Sequence, residues 1–214
     1  MIHLMINYYK TKNLIRQKEL DFCFINNILN QFINTIHCFI SEDDYKTLEI
    51  THEKIKFIVI NERPTYYDYF KYSYDNIPYN HIVVIGNSDI YYDSSLRLLH
   101  EVLGENDVFA LTRWGADGNI VEGNNIKIYQ NARCSQDAWI YRSKIKNLES
   151  MDCKFNFGIN ACDNRIAYEF HNNGYNVSNP CLDIIINHYH TSQVRNQTES
   201  LKGTIAYVEP TIIK

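Results

Sequence analysis

The sequence predicts an α/β fold in which a mixed, mostly parallel central sheet is flanked by helices. Two short runs, at 55–60 (IKFIVI) and 81–85 (HIVVI), are apolar at nearly every position, which is typical of strands that are buried on both faces. These runs alternate with segments whose apolar residues recur at helical spacing, as Leu20, Phe24 and Ile28 do. The alternation indicates βαβ units and therefore a parallel sheet.

Each element follows from its own pattern along the chain. Apolar runs predict strands at 2–7, 35–40, 55–60, 81–85, 107–112, 138–142 and 182–190. Helical spacing predicts helices over 13–32, 65–74, 94–103 and 164–173, and the last two end at Gly104 and Gly174. The acidic segment 42–44 is predicted to be a turn, and 115–129 a loop or hairpin. Because no repeat or linker divides the chain, we expect one domain over 1–214.

Composition and charge exclude several classes of protein. With 214 residues, 45% of them hydrophobic, the chain is long enough to bury a core. A net charge of -4 supplies no broad positive field, so we expect no nucleic-acid partner. The apolar start at 1–6 stops at Asn7 and Lys10, and no later run reaches membrane-spanning length, so we expect a cytoplasmic protein without a membrane span. The six cysteines form no C-x-x-C pair, which favours reduced thiols over a zinc cage.

Polar side chains at two places in the sequence could hold a metal ion. Asp89 follows the predicted strand 81–85, at the sheet edge where open α/β folds bind ligands. Carboxylate oxygens and imidazoles suit Mn²⁺ or Mg²⁺, and His188 and His190 lie on one face of the last predicted strand. Taken separately, Asp89 could equally cap a turn, and the histidines could equally form a packed or surface pair.

Five ordered motifs carry a resemblance to a known family. They are IGNSDIYYD at 85–93, ALTRW at 110–114, SQDAWIY at 135–141, CDNRIAYE at 162–169 and HYHTSQVRN at 188–196. In this order they resemble the small GT-A glycosyltransferase domains of large algal viruses and some bacteria, over nearly the whole chain up to about Arg195. The resemblance implies a GT-A fold and metal-dependent transfer of a sugar from a nucleotide-diphosphate donor to a glycan hydroxyl. Such domains carry a D-x-D element after the fourth strand, and Asn87 stands here at its first position, which tends to face the donor ribose, while Asp89 takes the metal-binding position.

The same resemblance assigns the donor nucleotide to the ends of the first and third strands. It implies an aromatic ring against uracil at Tyr8 or Tyr9, hence UDP, and a donor contact at Arg63. Arg195 and Lys202 are candidates for the diphosphate, because charge-assisted hydrogen bonds suit phosphate geometry. Without the resemblance, the tyrosines are ordinary packing residues and the cations are solvated surface groups.

An inverting transfer needs a carboxylate that takes the proton of the acceptor hydroxyl. Asp137 precedes an apolar strand and stands where inverting GT-A enzymes carry their base. Asp163 is a rival, and it could equally be the N-cap of the following helix. Arg113, Trp114 and Trp139 either shape a sugar pocket or, for the tryptophans, fill the core.

Two other functions compete with the glycosyltransferase. A sugar-1-phosphate nucleotidylyltransferase needs a glycine-rich phosphate loop after the first strand, and 7–13 (NYYKTKN) has no glycine. An inactive module that only binds a nucleotide sugar is compatible with Asn87 in place of aspartate, and turnover of the donor distinguishes the two.

Overall fold

The computed structural model describes residues 1–115, 128–192, 194 and 200–213. Two sheets are formed by β1 (Ile2–Asn7), β2 (Thr35–Ser41), β3 (Ile55–Ile60), β4 (Ile82–Gly86), β5 (Ile90–Tyr92), β6 (Asp107–Leu111), β7 (Ala138–Arg142), β8 (Asn176–Ser178) and β9 (Ile186–His188). The larger sheet has the order β3-β2-β1-β4-β7-β6-β8, and β5 pairs with β9 in the smaller one. Strand β7 runs antiparallel to β4 and β6, whereas the other described pairs of the larger sheet are parallel.

Five α-helices are described, and the first three begin where a side chain accepts from their first backbone N–H groups. They are α1 (Leu14–Leu29), α2 (Glu42–Lys46), α3 (Tyr66–Asn76), α4 (Leu99–Val102) and α5 (Cys162–Asn172). The side chain of Asn13 accepts from Ile15 and Arg16 at the start of α1, and Thr65 and Asp68 form a capping box on α3.

Apolar side chains pack on both faces of the large sheet. On one face, Leu4 and Val84 pack in the same cluster as Leu20, Phe24 and Ile28 of α1. On the other, Met5, Val83 and Ile85 pack with residues of α3 and α5, among them Tyr69 and Phe170. Because adjacent residues of a strand point to opposite faces, continuous apolar runs such as β4 serve both layers. The predicted fold class is therefore confirmed: the protein has a mixed, mostly parallel sheet between helices.

Several element boundaries differ from the predicted ones. Segment 42–46 is a short helix rather than a turn, capped by Ser41 and with acidic side chains in its first turn. The predicted helix 94–103 is a 3₁₀ turn followed by α4. The predicted strand 182–190 is shortened to β9, because residues 183 and 184 turn back to hydrogen-bond the carbonyl of Pro180. The two strands that the sequence analysis missed, β5 and β8, have three residues each.

Three further expectations concern the loop 115–129, the cysteines and a membrane span. Most of the predicted loop 115–129 lies outside the described residues. All six cysteines are free thiols, and five of them are buried. Among the described helices, none combines the length and the apolar character that a membrane span needs.

One edge of the large sheet collects polar residues from several strands. Strands β4 and β6 both end there, at Gly86 and Leu111, and both residues pair with Ala138. Since β7 is antiparallel, the residue before its first position, Asp137, lies at the same edge as Asn87, whose backbone N–H donates to the carbonyl of Asp137. The functional residues predicted from the sequence are concentrated at this edge.

Candidate active site

A cavity of about 520 Å³ opens at this edge of the sheet. Its wall includes most of the residues that the sequence analysis singled out, namely Tyr9, Arg63, Asn87, Asp89, Arg113, Asp137, His188 and His190. Gly86 lies in the wall between them, and a Cβ there would come within 2.2 Å of the Tyr92 hydroxyl. A glycine is therefore required where β4 enters the site.

The small sheet brings Asp89 to the two histidines. Ile90 of β5 pairs with His188 of β9, and the backbone N–H of Tyr189 donates to the carbonyl of Asp89. As a result His188 Nε2 lies 3.2 Å and His190 Nδ1 3.6 Å from Asp89 Oδ2. All three side chains are buried, and together they form a group that could hold a metal ion.

The spacing of these three atoms fits a divalent cation. Two ligands that bind at right angles, each about 2.1 Å from an ion, lie about 3.0 Å apart. The observed separations of 3.2 and 3.6 Å are close to that value. One carboxylate oxygen with two imidazole nitrogens suits Mn²⁺ better than Mg²⁺, because Mg²⁺ prefers oxygen ligands.

A buried arginine that the sequence analysis missed also contacts Asp89. Arg16 Nη2 lies 2.8 Å from Asp89 Oδ2, and Arg16 Nη1 lies 3.1 Å from Glu19 Oε2. Burial on its own would raise the pKa of Asp89, but the hydrogen bond from His188 and the charge of Arg16 outweigh it and hold this pKa well below its usual range. Arg16 precedes Leu20, Phe24 and Ile28 on the buried stripe of α1. A charged side chain on an apolar, buried helix face requires a buried partner of opposite charge. The position of Arg16 on this face is therefore the sequence signal that could have identified it.

Glu19 fixes the chain that follows the two histidines. Its carboxylate accepts hydrogen bonds from the backbone N–H groups and the hydroxyls of Thr191 and Ser192. Burial opposes ionisation of this carboxyl, but the hydroxyl of Thr191, the backbone N–H and hydroxyl of Ser192, and Arg16 together lower its pKa. Helix α1 therefore contacts the histidine segment at one end of the cavity through Arg16 and Glu19.

The cavity wall contains a second buried carboxylate, Asp137; we call its surroundings the Asp137 end of the cavity and those of Asp89 the Asp89 end. Asp137 is 5% exposed, and both of its oxygens accept from Arg113 Nη1, at 3.0 and 2.8 Å. Asn87 Nδ2 donates to Asp137 Oδ1 at 3.2 Å. The amide at the first position of the motif N-S-D thus contacts the candidate base.

Asp163 lies next to Asp137 but is not among the residues of the cavity wall. Its carboxylate accepts from the backbone N–H of Gln136 and from the thiol of Cys162, both at 3.3 Å. Burial, and then the negative charge of Asp137, raise the pKa of Asp163 to about 7. It occupies the first turn of α5 and is not the N-cap, since the helix begins at Cys162 after Ala161.

Only some of the predicted donor-binding residues line the cavity. Tyr9 lines it, whereas Tyr8 is buried, packs against the tilted ring of Phe24 and donates its hydroxyl to Asp21. Arg63 lies in the wall beside Gly158, whose φ is +76° and whose Cβ would come within 2.7 Å of the Arg63 guanidinium. Gly158 therefore suits this backbone conformation and leaves room for the arginine, a contact that no local sequence pattern indicated.

Four candidates remain, and three of them are among the described residues. Arg195 is outside the described residues, and Lys202 is exposed and not in the wall of the cavity. Trp139 is fully buried and stacks on Phe170, which makes it a core residue. Trp114 donates its indole N–H to the carbonyl of Cys181 at 2.7 Å.

Comparisons with known proteins bear on the fold. No protein-family model matches the chain, and curated proteins give no significant match. Solved structures do. The inositol-1-phosphate CTP transferase from T. maritima is similar, with a TM-score of 0.54, 11% identity and 89% of each chain covered. So is the 4-diphosphocytidyl-2C-methyl-D-erythritol synthase from Anaerococcus prevotii, with a TM-score of 0.51, 14% identity, and coverage of 84% of this chain and 86% of that one.

The galactosyltransferase LgtC, solved with donor and acceptor sugar analogs, gives a TM-score of 0.48 at 12% identity, with 89% of this chain and 87% of that one covered. The two transferases with TM-scores above 0.5 show that the chain has a nucleotide-diphospho-sugar transferase-like, or GT-A-like, fold. At 11–14% identity these likenesses establish the fold, so the reaction has to be argued from the site itself.

Proposed function

We propose that this GT-A protein is a metal-dependent, inverting glycosyltransferase that moves a sugar from a UDP-sugar to a hydroxyl of a glycan acceptor. One observation carries the proposal. A single cavity has a cation-binding set at one end, Asp89 with His188 and His190, and a buried carboxylate, Asp137, at the other. A sugar between a diphosphate and an attacking hydroxyl needs these two kinds of group on its opposite sides.

The cation end holds the leaving group. Asp89, His188 and His190 would bind Mn²⁺, or less favourably Mg²⁺, and the bound ion neutralises the negative charge that develops on the departing diphosphate. Arg63 reaches the same cavity with an exposed guanidinium, which suits a phosphate oxygen. In this proposal Tyr9, which lines the cavity, stacks on the uracil base, and Asn87 binds a ribose hydroxyl while it contacts Asp137.

Asp137 takes the proton in the chemical step. The acceptor oxygen forms a bond to the anomeric carbon while the bond from that carbon to the diphosphate oxygen breaks, and the hydroxyl proton passes to Asp137. Arg113 binds both oxygens of Asp137 and so fixes the orientation of the carboxylate. Asp163 is the rival base. Its raised pKa suits general-base work near neutral pH, but its carboxylate lies outside the cavity wall.

The loop after β1 argues against a nucleotidylyltransferase. Such an enzyme binds a triphosphate with free backbone N–H groups in that loop. Here the N–H groups of Thr11 and Asn13 are bonded to side chains within the loop and helix, and those of Ile15 and Arg16 to the side chain of Asn13. We therefore retain the glycosyltransferase as the function that the geometry favours.

A panel of donors tests this function. The protein is incubated with UDP-, GDP- or dTDP-sugars and Mn²⁺, and release of the nucleotide is measured with and without excess chelator. We expect release from a UDP-sugar that the chelator abolishes. Release of pyrophosphate from a nucleoside triphosphate and a sugar 1-phosphate would favour the nucleotidylyltransferase instead. UDP binding without turnover of any donor would favour the inactive binding module.

A further inference from the structure

Arg16 binds the same carboxylate oxygen of Asp89 that a metal ion would use. Its Nη2 atom lies 2.8 Å from Asp89 Oδ2, and both histidine nitrogens are directed at that oxygen. Arg16 is 8% exposed and belongs to the cavity wall. A divalent ion on Asp89 would therefore stand against a buried positive charge at short range, and the two cations repel each other.

The arginine has a second anchor that does not involve Asp89. Arg16 Nη1 lies 3.1 Å from Glu19, and Glu19 is itself fixed by Thr191 and Ser192. If Nη2 leaves Asp89, the Glu19 contact still keeps the guanidinium at the cavity wall. A diphosphate in this cavity offers that freed Nη2 group a new anionic partner, which the planar guanidinium suits well.

We propose that Arg16 occupies the cation's place on Asp89 in the nucleotide-free protein and passes its Nη2 contact to the donor diphosphate when the ion binds. The inference rests on the proposed function and adds that the ion and the nucleotide bind cooperatively. Without nucleotide, an ion on Asp89 deprives Arg16 Nη2 of its anionic partner and leaves it only the neutral hydroxyl of Tyr9, while Nη1 keeps its contact with Glu19. With nucleotide present, the diphosphate accepts both the ion and the arginine. By linkage, each ligand strengthens binding of the other by the same factor.

Calorimetric titration of Mn²⁺ with and without UDP tests the coupling. In the unaltered protein, we expect UDP to tighten Mn²⁺ binding about tenfold or more, within the usual range of coupling between sites. Arg16→Met keeps a side chain of similar shape and removes the charge. It should bind Mn²⁺ about tenfold more tightly than the unaltered protein in the absence of UDP, and UDP should then add less than about threefold. Asp89→Asn must abolish the signal, which assigns it to this site.

Lys18→Met is the matched control. Lys18 lies on the same helix and is exposed, so the substitution removes one positive charge from α1 without touching the cavity. It should keep the coupling between Mn²⁺ and UDP binding of the unaltered protein.

If Arg16→Met fails to fold, Arg16→Lys replaces it. A single ammonium cannot bridge Asp89 and Glu19 as the guanidinium does, so Mn²⁺ alone should again bind more tightly than to the unaltered protein.

The possible failures can be told apart. If UDP and Mn²⁺ both bind but the Arg16 variants bind Mn²⁺ no more tightly than the unaltered protein without UDP, the inference about Arg16 is overturned and the proposed function stands. If UDP binds and Mn²⁺ binds to no variant, the arginine has no ion to exchange with, and both the inference and the metal dependence are overturned. If UDP does not bind at all, the proposed function itself fails.

Discussion

The two ends of the cavity contain the same pair of groups in different surroundings. At each end a buried aspartate is paired with a buried arginine at 2.8 Å, Asp89 with Arg16 and Asp137 with Arg113. Asp89 is 8% exposed and Asp137 5%, so burial does not distinguish them. The ion pair alone does not distinguish an aspartate with a structural role from a metal ligand or a base.

The neighbours of each pair separate their roles. Two imidazoles are directed at Asp89, which completes a set of ligands for a cation. Next to Asp137 stands a second carboxylate, Asp163, whose pKa is raised to about 7 because it is buried beside another negative charge. One end is therefore suited to holding a cation and the other to exchanging a proton. The lesson is that the surroundings of an ion pair, more than the pair, indicate its function.

Asp89→Asn should have the largest effect. It removes the anionic ligand, so the protein loses ion-dependent donor binding as well as rate, and kcat/KM should fall more than about 10³-fold, which corresponds to about 4 kcal/mol of lost transition-state stabilisation. Donor titrations in the presence of Mn²⁺ and initial rates measure the two parts. Asp43→Asn, an exposed carboxylate of α2, is the matched control and should change neither. Donor binding by Asp89→Asn at unaltered affinity would remove the distinction between the two ends.

Asp137→Asn should reduce the rate and spare donor binding. The amide keeps the shape and most hydrogen bonds of the carboxylate but cannot accept the proton, so kcat should fall by about 10²- to 10⁴-fold while the donor dissociation constant changes little. Single-turnover transfer together with donor titration gives both quantities. If Asp163→Asn has that profile instead and Asp137→Asn retains transfer, Asp163 is the base and our assignment of roles is incorrect.

The raised pKa of Asp163 should show in the stability of the protein. A carboxyl group whose pKa rises from its usual value near 3.8 to about 7 on folding binds more protons in the folded state. It therefore stabilises the fold at low pH, and this contribution is lost as pH rises from about 4 to about 7. Asparagine does not titrate, so Asp163→Asn does not lose this stability as the pH rises. The free energy of unfolding of Asp163→Asn relative to that of the unaltered protein should therefore increase from about pH 4 to about pH 7, by at most about 1.4 kcal/mol per pH unit.

Denaturant unfolding of both proteins at several pH values measures this difference. The comparison is needed because burial lowers the pKa of His3 to about 4 and that of His37 to about 3, which makes stability rise with pH up to about 6.5. Both proteins contain these histidines, so their contribution cancels in the difference. A difference that stays constant from pH 4 to pH 8 would contradict the raised pKa and weaken the case for a proton-exchanging end.

Tyr9→Ala should have the smallest effect. Tyr9 lines the cavity and is 37% exposed, so loss of its ring should weaken UDP binding by about 1 kcal/mol, roughly fivefold. Tyr9→Phe keeps the ring and serves as the control, with little expected change. Equal UDP affinities for Tyr9→Ala and the unaltered protein, measured by calorimetry, would remove Tyr9 from the donor site.

The sequence revealed the layers of the fold and the polar ends of strands, because both depend on local patterns. Continuous apolar runs such as 81–85 predict buried parallel strands, and Asp89 stands out because it follows one of them. The pairing of Asp89 with Arg16 joins residues 73 positions apart, and no local pattern encodes the choice of partner. Strand β5 has three residues, too few for a period to be visible, although it is the element that brings Asp89 to His188.

Anomalous X-ray scattering from crystals grown with Mn²⁺ and UDP tests the difference between the two ends most directly. We expect a manganese peak between Asp89, His188 and His190, with Arg16 Nη2 moved from Asp89 to a phosphate oxygen and no ion at Asp137. A peak between Asp137 and Asp163, or bound UDP with Arg16 still on Asp89 and no manganese beside it, would contradict the account.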